Sequence, residues 1–177
     1  LYLSTYELFK SSNYFFLPYQ IEFSKNLSQI QTDQIESHFD EIIKKRKENF
    51  ERSKNNFRET AIKNSIDGFR RLGIKLNTKQ QKEIVDNMNS LIDIREISIK
   101  LQEQWYEELI RILSNNKEEE FSLNLRKHLA NIEDGGGENH RLNEEKNREI
   151  FLRNISETLN SFTKNQRDNY ARRIDFY

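Results

Sequence analysis

Apolar positions recur at intervals of three and four along most of this chain. Ile35, Phe39, Ile42, Phe50, Phe57, Ala61, Ile62, Ile66, Phe69 and Leu72 form one such series. That spacing places one apolar stripe on a helix. It predicts a very long helix from about residue 33 to Leu72, roughly 60 Å at 1.5 Å per residue. The stripe thins between Lys44 and Arg58, where Arg46 and Ser53 intrude, so this middle part is expected to project or to pack on one side only. A second series, Ile84, Val85, Met88, Leu91, Ile92, Arg95, Ile99, Trp105, Leu109, Ile112 and Leu113, predicts a second long helix over Thr78–Ser114. The joint between them reads Leu72-Gly73-Ile74-Lys75-Leu76-Asn77-Thr78-Lys79-Gln80. Gly73 stands where a helix ends in the left-handed conformation. Asn77 and Gln80 have the spacing of a capping box, in which each side chain satisfies the other residue's backbone N–H. So short a joint makes the two helices antiparallel neighbours.

Shorter elements flank this pair. Leu3, Tyr6 and Phe9 suggest the tail of a helix, with a break at Ser11-Ser12-Asn13. Phe15, Phe16, Leu17, Tyr19, Ile21, Phe23 and Leu27 predict a short helix from about Pro18 to Ser28, its aromatics in the core, with some exposed where upstream chain has been removed. Asn116-Lys117-Glu118-Glu119 reads as a cap opening a helix with Phe121, Leu125, Leu129 and Ile132. Glu133–Asn139 reads as a flexible loop. A helix from about Leu142 to Asn160 is expected to bury Ile150, Phe151, Ile155 and Leu159, and a last helix after Thr163 to turn Tyr170, Ile174 and Tyr177 inward. Alternating runs that would mark a strand are missing. The expected fold is all-α: one elongated helical domain over residues 1–177, with two long antiparallel helices and three or four shorter ones.

Composition fits long helices with narrow stripes. Charged residues make up 33% of the 177 and the apolar set 34%, with a mean hydropathy of -0.95. One Pro and five Gly leave few breaks. Twelve Phe, seven Tyr and one Trp argue against disorder, which is poor in aromatics. Net charge is zero, so no global field points to nucleic acid. Locally the balance shifts: Glu41–Leu72 carries ten Lys/Arg against five Asp/Glu. Lys44, Lys45 and Arg46, with Phe50, Phe57 and Arg58, form a candidate surface for an acidic or unfolded partner. The competing reading makes Phe50 and Phe57 core knobs, and interleaved Glu41, Glu48, Glu51 and Glu59 dilute the field over phosphates or lipid headgroups.

Candidate chemistry is sparse. The absence of Cys excludes disulfides and thiolate nucleophiles. His38, His128 and His140 lack the spacing of a helical zinc pair. Glu118-Glu119-Glu120 reads as charge at a helix start, and Gly135-Gly136-Gly137 has no Lys-Ser/Thr ending to cradle phosphate. The reading is a protein that is not an enzyme and needs no cofactor.

Three stretches share one grammar: an apolar residue, a cap position, two variable residues, then Gln. They are Ile30 to Gln34, Leu76-Asn77 to Gln80, and Phe162-Thr163 to Gln166. The pattern resembles the Leu-Thr-x-x-Gln motif of Spy/CpxP-like periplasmic helical proteins. A closer resemblance is to an uncharacterised family of bacterial lipoproteins built on the same motif. It rests on the run Ile30–Arg46, the joint Arg70-Arg71-Leu72-Gly73, Asn147-Arg148, the stretch Leu159–Arg167, and Ala171-Arg172-Arg173-Ile174. Gln31 and Asn77 depart from the usual Thr. The resemblance implies an envelope protein, periplasmic and tethered by a lipid anchor on an upstream segment. The chain opens at Leu1, without Met, signal peptide or lipidated Cys, which suggests a trimmed sequence. Chaperone relatives of this kind hold unfolded clients without ATP, usually as dimers. Two functional readings therefore stand: an envelope protein that holds unfolded or partner proteins, and a structural adaptor that dimerises and recruits one partner.

Overall fold

The computed structural model describes residues 15–130 and 137–174. The expectations for Leu3, Tyr6, Phe9, Ser11–Asn13, Ile132, residues 133–136 and Tyr177 lie outside them. All regular structure among the described residues is helical. The helices are α1 (15–24), α2 (Gln29–Ser53), α3 (Phe57–Arg71), α4 (Thr78–Met88), α5 (Arg95–Ser114), α6 (Phe121–Ala130), α7 (Gly137–Asn160) and α8 (Lys164–Ile174). The all-α class is thus established.

Each of the two predicted long helices is divided. The first breaks at a 3-10 turn, Lys54–Asn56. Ser53, Asn55 and Asn56 supply the reason, since their short polar side chains compete with helical backbone bonds. Ser53 sits at φ -113, ψ 0, outside helical geometry. The second breaks between Met88 and Arg95, where Asn89-Ser90 ends α4. Other boundaries also move. Residues 15–24 are helical, so Pro18 does not open the described helix and α1 stops before Lys25. Asn116 lies in a turn, and α6 begins only at Phe121. Helix α7 starts at Gly137 rather than near Leu142.

The chain sorts into two compact units. One comprises Leu1–Asn49 and Glu96–Gly137, the other Phe50–Arg95 and Glu138–Tyr177. In the first unit Leu17, Ile21 and Leu27 pack with Leu109, Ile112, Leu113, Phe121 and Leu125. In the second, Phe69, Ile74, Leu76, Ile84, Met88, Leu91 and Phe162 form the core. Two faces contradict the pattern reading. In α1, Phe15, Phe16, Tyr19 and Phe23 are 54–67% exposed, and only Leu17 and Ile21 turn inward. In α7, Asn147, Asn154 and Thr158 are buried, while Phe151, Leu152 and Ile155 are 42–57% exposed. The inward face of α7 is therefore a polar one, flanked by the half-buried Ile150 and Leu159.

Candidate functional site

The two joints of the second unit are clasped together. Helix α3 ends with Gly73 at φ 75. Ile74 N–H donates to Phe69 O at 3.0 Å and Gly73 N–H to Arg70 O at 2.9 Å, the paired bonds of a Schellman end. Helix α4 then starts in a capping box. Gln80 N–H donates to Asn77 Oδ1 at 3.0 Å, and Asn77 N–H to Gln80 Oε1 at 2.9 Å. Helix α8 starts the same way: Thr163 N–H donates to Gln166 Oε1 at 2.9 Å and Gln166 N–H to Thr163 Oγ1 at 3.3 Å.

The two Gln side chains, both buried, also bind each other. Gln80 Nε2 donates to Gln166 Oε1 at 3.0 Å, and Gln166 Nε2 to Gln80 Oε1 at 2.9 Å. Each Nε2 further donates to the carbonyl just before the other motif's apolar residue, Gln80 to Ser161 O at 3.0 Å and Gln166 to Lys75 O at 2.7 Å. Leu76 and Phe162 are buried at 5% and 4%. The motif is thus a reciprocal lock with its donors and acceptors filled, and it holds no open chemistry.

The first copy of the motif is displaced by three residues from the predicted frame. Ile30 is 71% exposed and Gln34 is exposed. The cap is Ser28: Ser28 N–H donates to Gln31 Oε1 at 2.9 Å and Gln31 N–H to Ser28 Oγ at 3.3 Å. The apolar residue is Leu27, 7% exposed. Leu27-Ser28-Gln29-Ile30-Gln31 carries the pattern with a good cap, a frame available in the sequence because Ser outranks Gln as a cap. Asn116 Nδ2 donates to Leu27 O at 2.7 Å and Ser24 O at 3.3 Å, fastening this joint to the turn after α5.

The residues of the candidate partner surface fall in two units. Lys44, Lys45 and Arg46 are exposed residues of the first unit, and Arg46 binds Gln102 Oε1. Phe50, Phe57 and Arg58 belong to the second unit. There the Arg95 guanidinium lies 5.3 Å from the Phe50 ring and 4.7 Å from the Phe57 ring. Both rings are half-buried under a cation and act as packing residues. Arg95 also grips Ser53 Oγ at 2.7 Å and Asp93 through both carboxylate oxygens, 2.8 and 2.7 Å, which holds the Asp93 carboxyl below its usual range. Sequence reading treated Arg95 as one more position in a helical series, and its clamp on the break at Ser53 was missed.

A second pin closes the loop before α5. Asn147 Nδ2 donates to Ile92 O at 2.8 Å, and Ile92 N–H donates to Asn147 Oδ1 at 2.9 Å. In the first unit, His128 stacks on Trp105 at 4.6 Å and its Nε2 lies 3.0 Å from Trp105 O. Burial pushes the His128 pKa down, against the Trp105 carbonyl and Glu108. His38 is exposed, and no three His, Asp or Glu among the described residues could hold a metal. No described helix is long and apolar enough to cross a membrane.

Apolar side chains are also left open. Phe15, Phe16, Tyr19, Phe23 and Ile30 are exposed in the first unit, and Phe151, Leu152 and Ile155 in the second. A groove of about 300 Å³ runs beside the latter, between α3, α7 and α8. Of these, Phe15, Phe16, Tyr19, Phe23, Phe151 and Ile155 are expected in the core from the sequence, because spacing alone does not say which of two neighbouring apolar stripes faces inward. No family model, curated protein or solved structure matches the chain.

Proposed function

We propose that this chain is a non-enzymatic binding module of the bacterial envelope that holds unfolded or partner polypeptides without ATP. The observation that carries this reading is α1. Four aromatics within nine residues, Phe15, Phe16, Tyr19 and Phe23, are more than half exposed in a chain one third of whose residues are charged. A contiguous aromatic face rimmed by polar residues marks an interaction surface. The second apolar face, on α7, is in keeping with the same reading. A periplasmic location and an upstream lipid anchor belong to the same proposal, on the strength of the motif resemblance.

Light scattering tests it. The protein should suppress aggregation of several unrelated unfolded proteins, without ATP, at near-stoichiometric ratios. The adaptor reading draws on the same aromatic face, used by a second copy or one dedicated partner. It predicts no suppression across the panel, together with a defined dimer or a single partner, and that result would displace the holding reading.

A further inference from the structure

The lock between Gln80 and Gln166 gathers charge as well as closing two joints. Residues 70–82 carry Arg70, Arg71, Lys75, Lys79 and Lys82 and no acidic residue, and residues 161–167 carry Lys164 and Arg167 and again none. The two stretches are far apart in sequence, and the lock brings them to one end of the second unit. Lys75 O accepts from Gln166 Nε2 at 2.7 Å, and Lys79 and Arg167 adjoin the two Gln in the chain. All these cationic residues are exposed. Arg70 pairs with Asp67 at 3.0 Å and Lys79 with Glu83 at 3.9 Å. Arg71, Lys75, Lys82 and Lys164 have no acidic partner among the described residues. Lys79 lies in the first turn of α4 and Lys164 opens α8, and neither first turn holds an acid. Positive charge at a helix start opposes the macrodipole, and repulsion among the clustered cations adds to that cost. The flanking acids Asp67, Glu83 and Asp168 offset less than half of the charge.

We propose that this end of the second unit docks on an anionic lipid surface, its Lys and Arg side chains over the phosphate headgroups. The cations come from the end of α3, the joint after it and the first turns of α4 and α8, so their spacing follows no regular repeat. Lipids diffuse laterally, and headgroups collect under whatever spacing the cations have. A nucleic acid has its phosphates fixed along a strand, and single strands are held by bases stacked on exposed aromatic side chains. The one aromatic residue of the two stretches, Phe162, is buried. Clustered Lys and Arg are the feature by which anionic membranes attract protein segments, and the attraction fades within a Debye length. The zero net charge of the chain hides the cluster, because acids elsewhere, such as those of residues 102–120, balance it. The proposal goes beyond the holding of polypeptides and does not depend on it, since it uses neither apolar face.

Co-sedimentation of the whole chain with vesicles tests it, using phosphatidylcholine alone and in equal parts with phosphatidylglycerol, at low and at high salt. The chain should pellet with the mixed vesicles at low salt, stay in solution with phosphatidylcholine alone, and be released at high salt. Lys75→Gln/Lys79→Gln/Lys164→Gln should weaken binding about a hundredfold. Its melting temperature should not fall, since all three side chains are exposed and two of them oppose a helix dipole. Lys44→Gln/Lys45→Gln/Arg46→Gln removes the same charge from the first unit and should keep binding within about threefold of the wild type. Equal losses from the two triple variants overturn the proposal by making net charge the cause. Binding to phosphatidylcholine alone as tight as to the mixture overturns it by placing the contact on apolar side chains, and so does a failure to bind the mixture at low salt. Binding of a DNA duplex that the Lys75 triple variant loses, without binding of vesicles, overturns the lipid surface in favour of nucleic acid. Suppression of aggregation is a separate readout, so the holding reading and this proposal fail independently.

Discussion

Gln80 and Gln166 are 86 residues apart, yet each completes the other's joint. Replacing one by Leu strands its partner's buried amide, a loss of roughly 1–3 kcal/mol. A double-mutant cycle in urea should then return a coupling between them of about 0.5–3 kcal/mol, because the pair acts as a unit. Additive losses would reduce them to two separate caps. Asn77→Ala should cost about 1 kcal/mol by removing one box. The neighbouring Gly73→Val, at φ 75, should lower the melting temperature further than Asn77→Ala, since a β-branched residue resists that region. The capping box and the Gly73 end were legible because both are encoded within six residues. The amide lock was not, since no local pattern reveals that two loops meet. At Leu27 the motif was legible and misread: a frame chosen on Ile30 overlooked the better cap, Ser28, three residues earlier.

Helix class was fixed by spacing, but helix length was not. Ser53-Lys54-Asn55-Asn56 and Asn89-Ser90 look like tolerable interruptions in a polar helix face. They become breaks because tertiary groups stabilise the alternative: Arg95 takes Ser53 Oγ, and Asn147 takes both backbone groups of Ile92. Asn147→Leu should therefore destabilise the second unit by about 1–3 kcal/mol, read from its unfolding transition, although the change looks favourable on a half-apolar helix. Helix α6 carries a different prediction. His128 is half-buried, and its partial desolvation puts the folded pKa below its unfolded value near 6.5. The unfolded chain thus binds the extra proton first, so stability is full above that value and falls as pH drops below it toward the folded pKa. The wild-type protein should lose more stability between pH 7.5 and 5 than His128→Gln does; parallel curves would show that His128 does not titrate this way.

Most of the charge in this chain solvates helices, and the telling residues are those that break the rule. Had α1 and α7 each turned one clean stripe inward, nothing would distinguish the chain from a structural bundle. Instead Tyr19 is 66% exposed and Ile155 46%, in separate units. The basic stretch at Lys44–Arg46, a candidate partner surface from the sequence, is exposed on α2 in the first unit. The account places polypeptide contacts on the aromatic and aliphatic faces and none on that stretch. Site-specific photo-crosslinking compares the three directly: a photoreactive residue at Tyr19, at Ile155 or at Lys45, mixed with a chemically unfolded, reduced client. The account predicts strong client adducts from Tyr19 and Ile155 and background from Lys45, independent of ATP. Adducts concentrated at Lys45, or none at any position while the client stays unfolded, would contradict it.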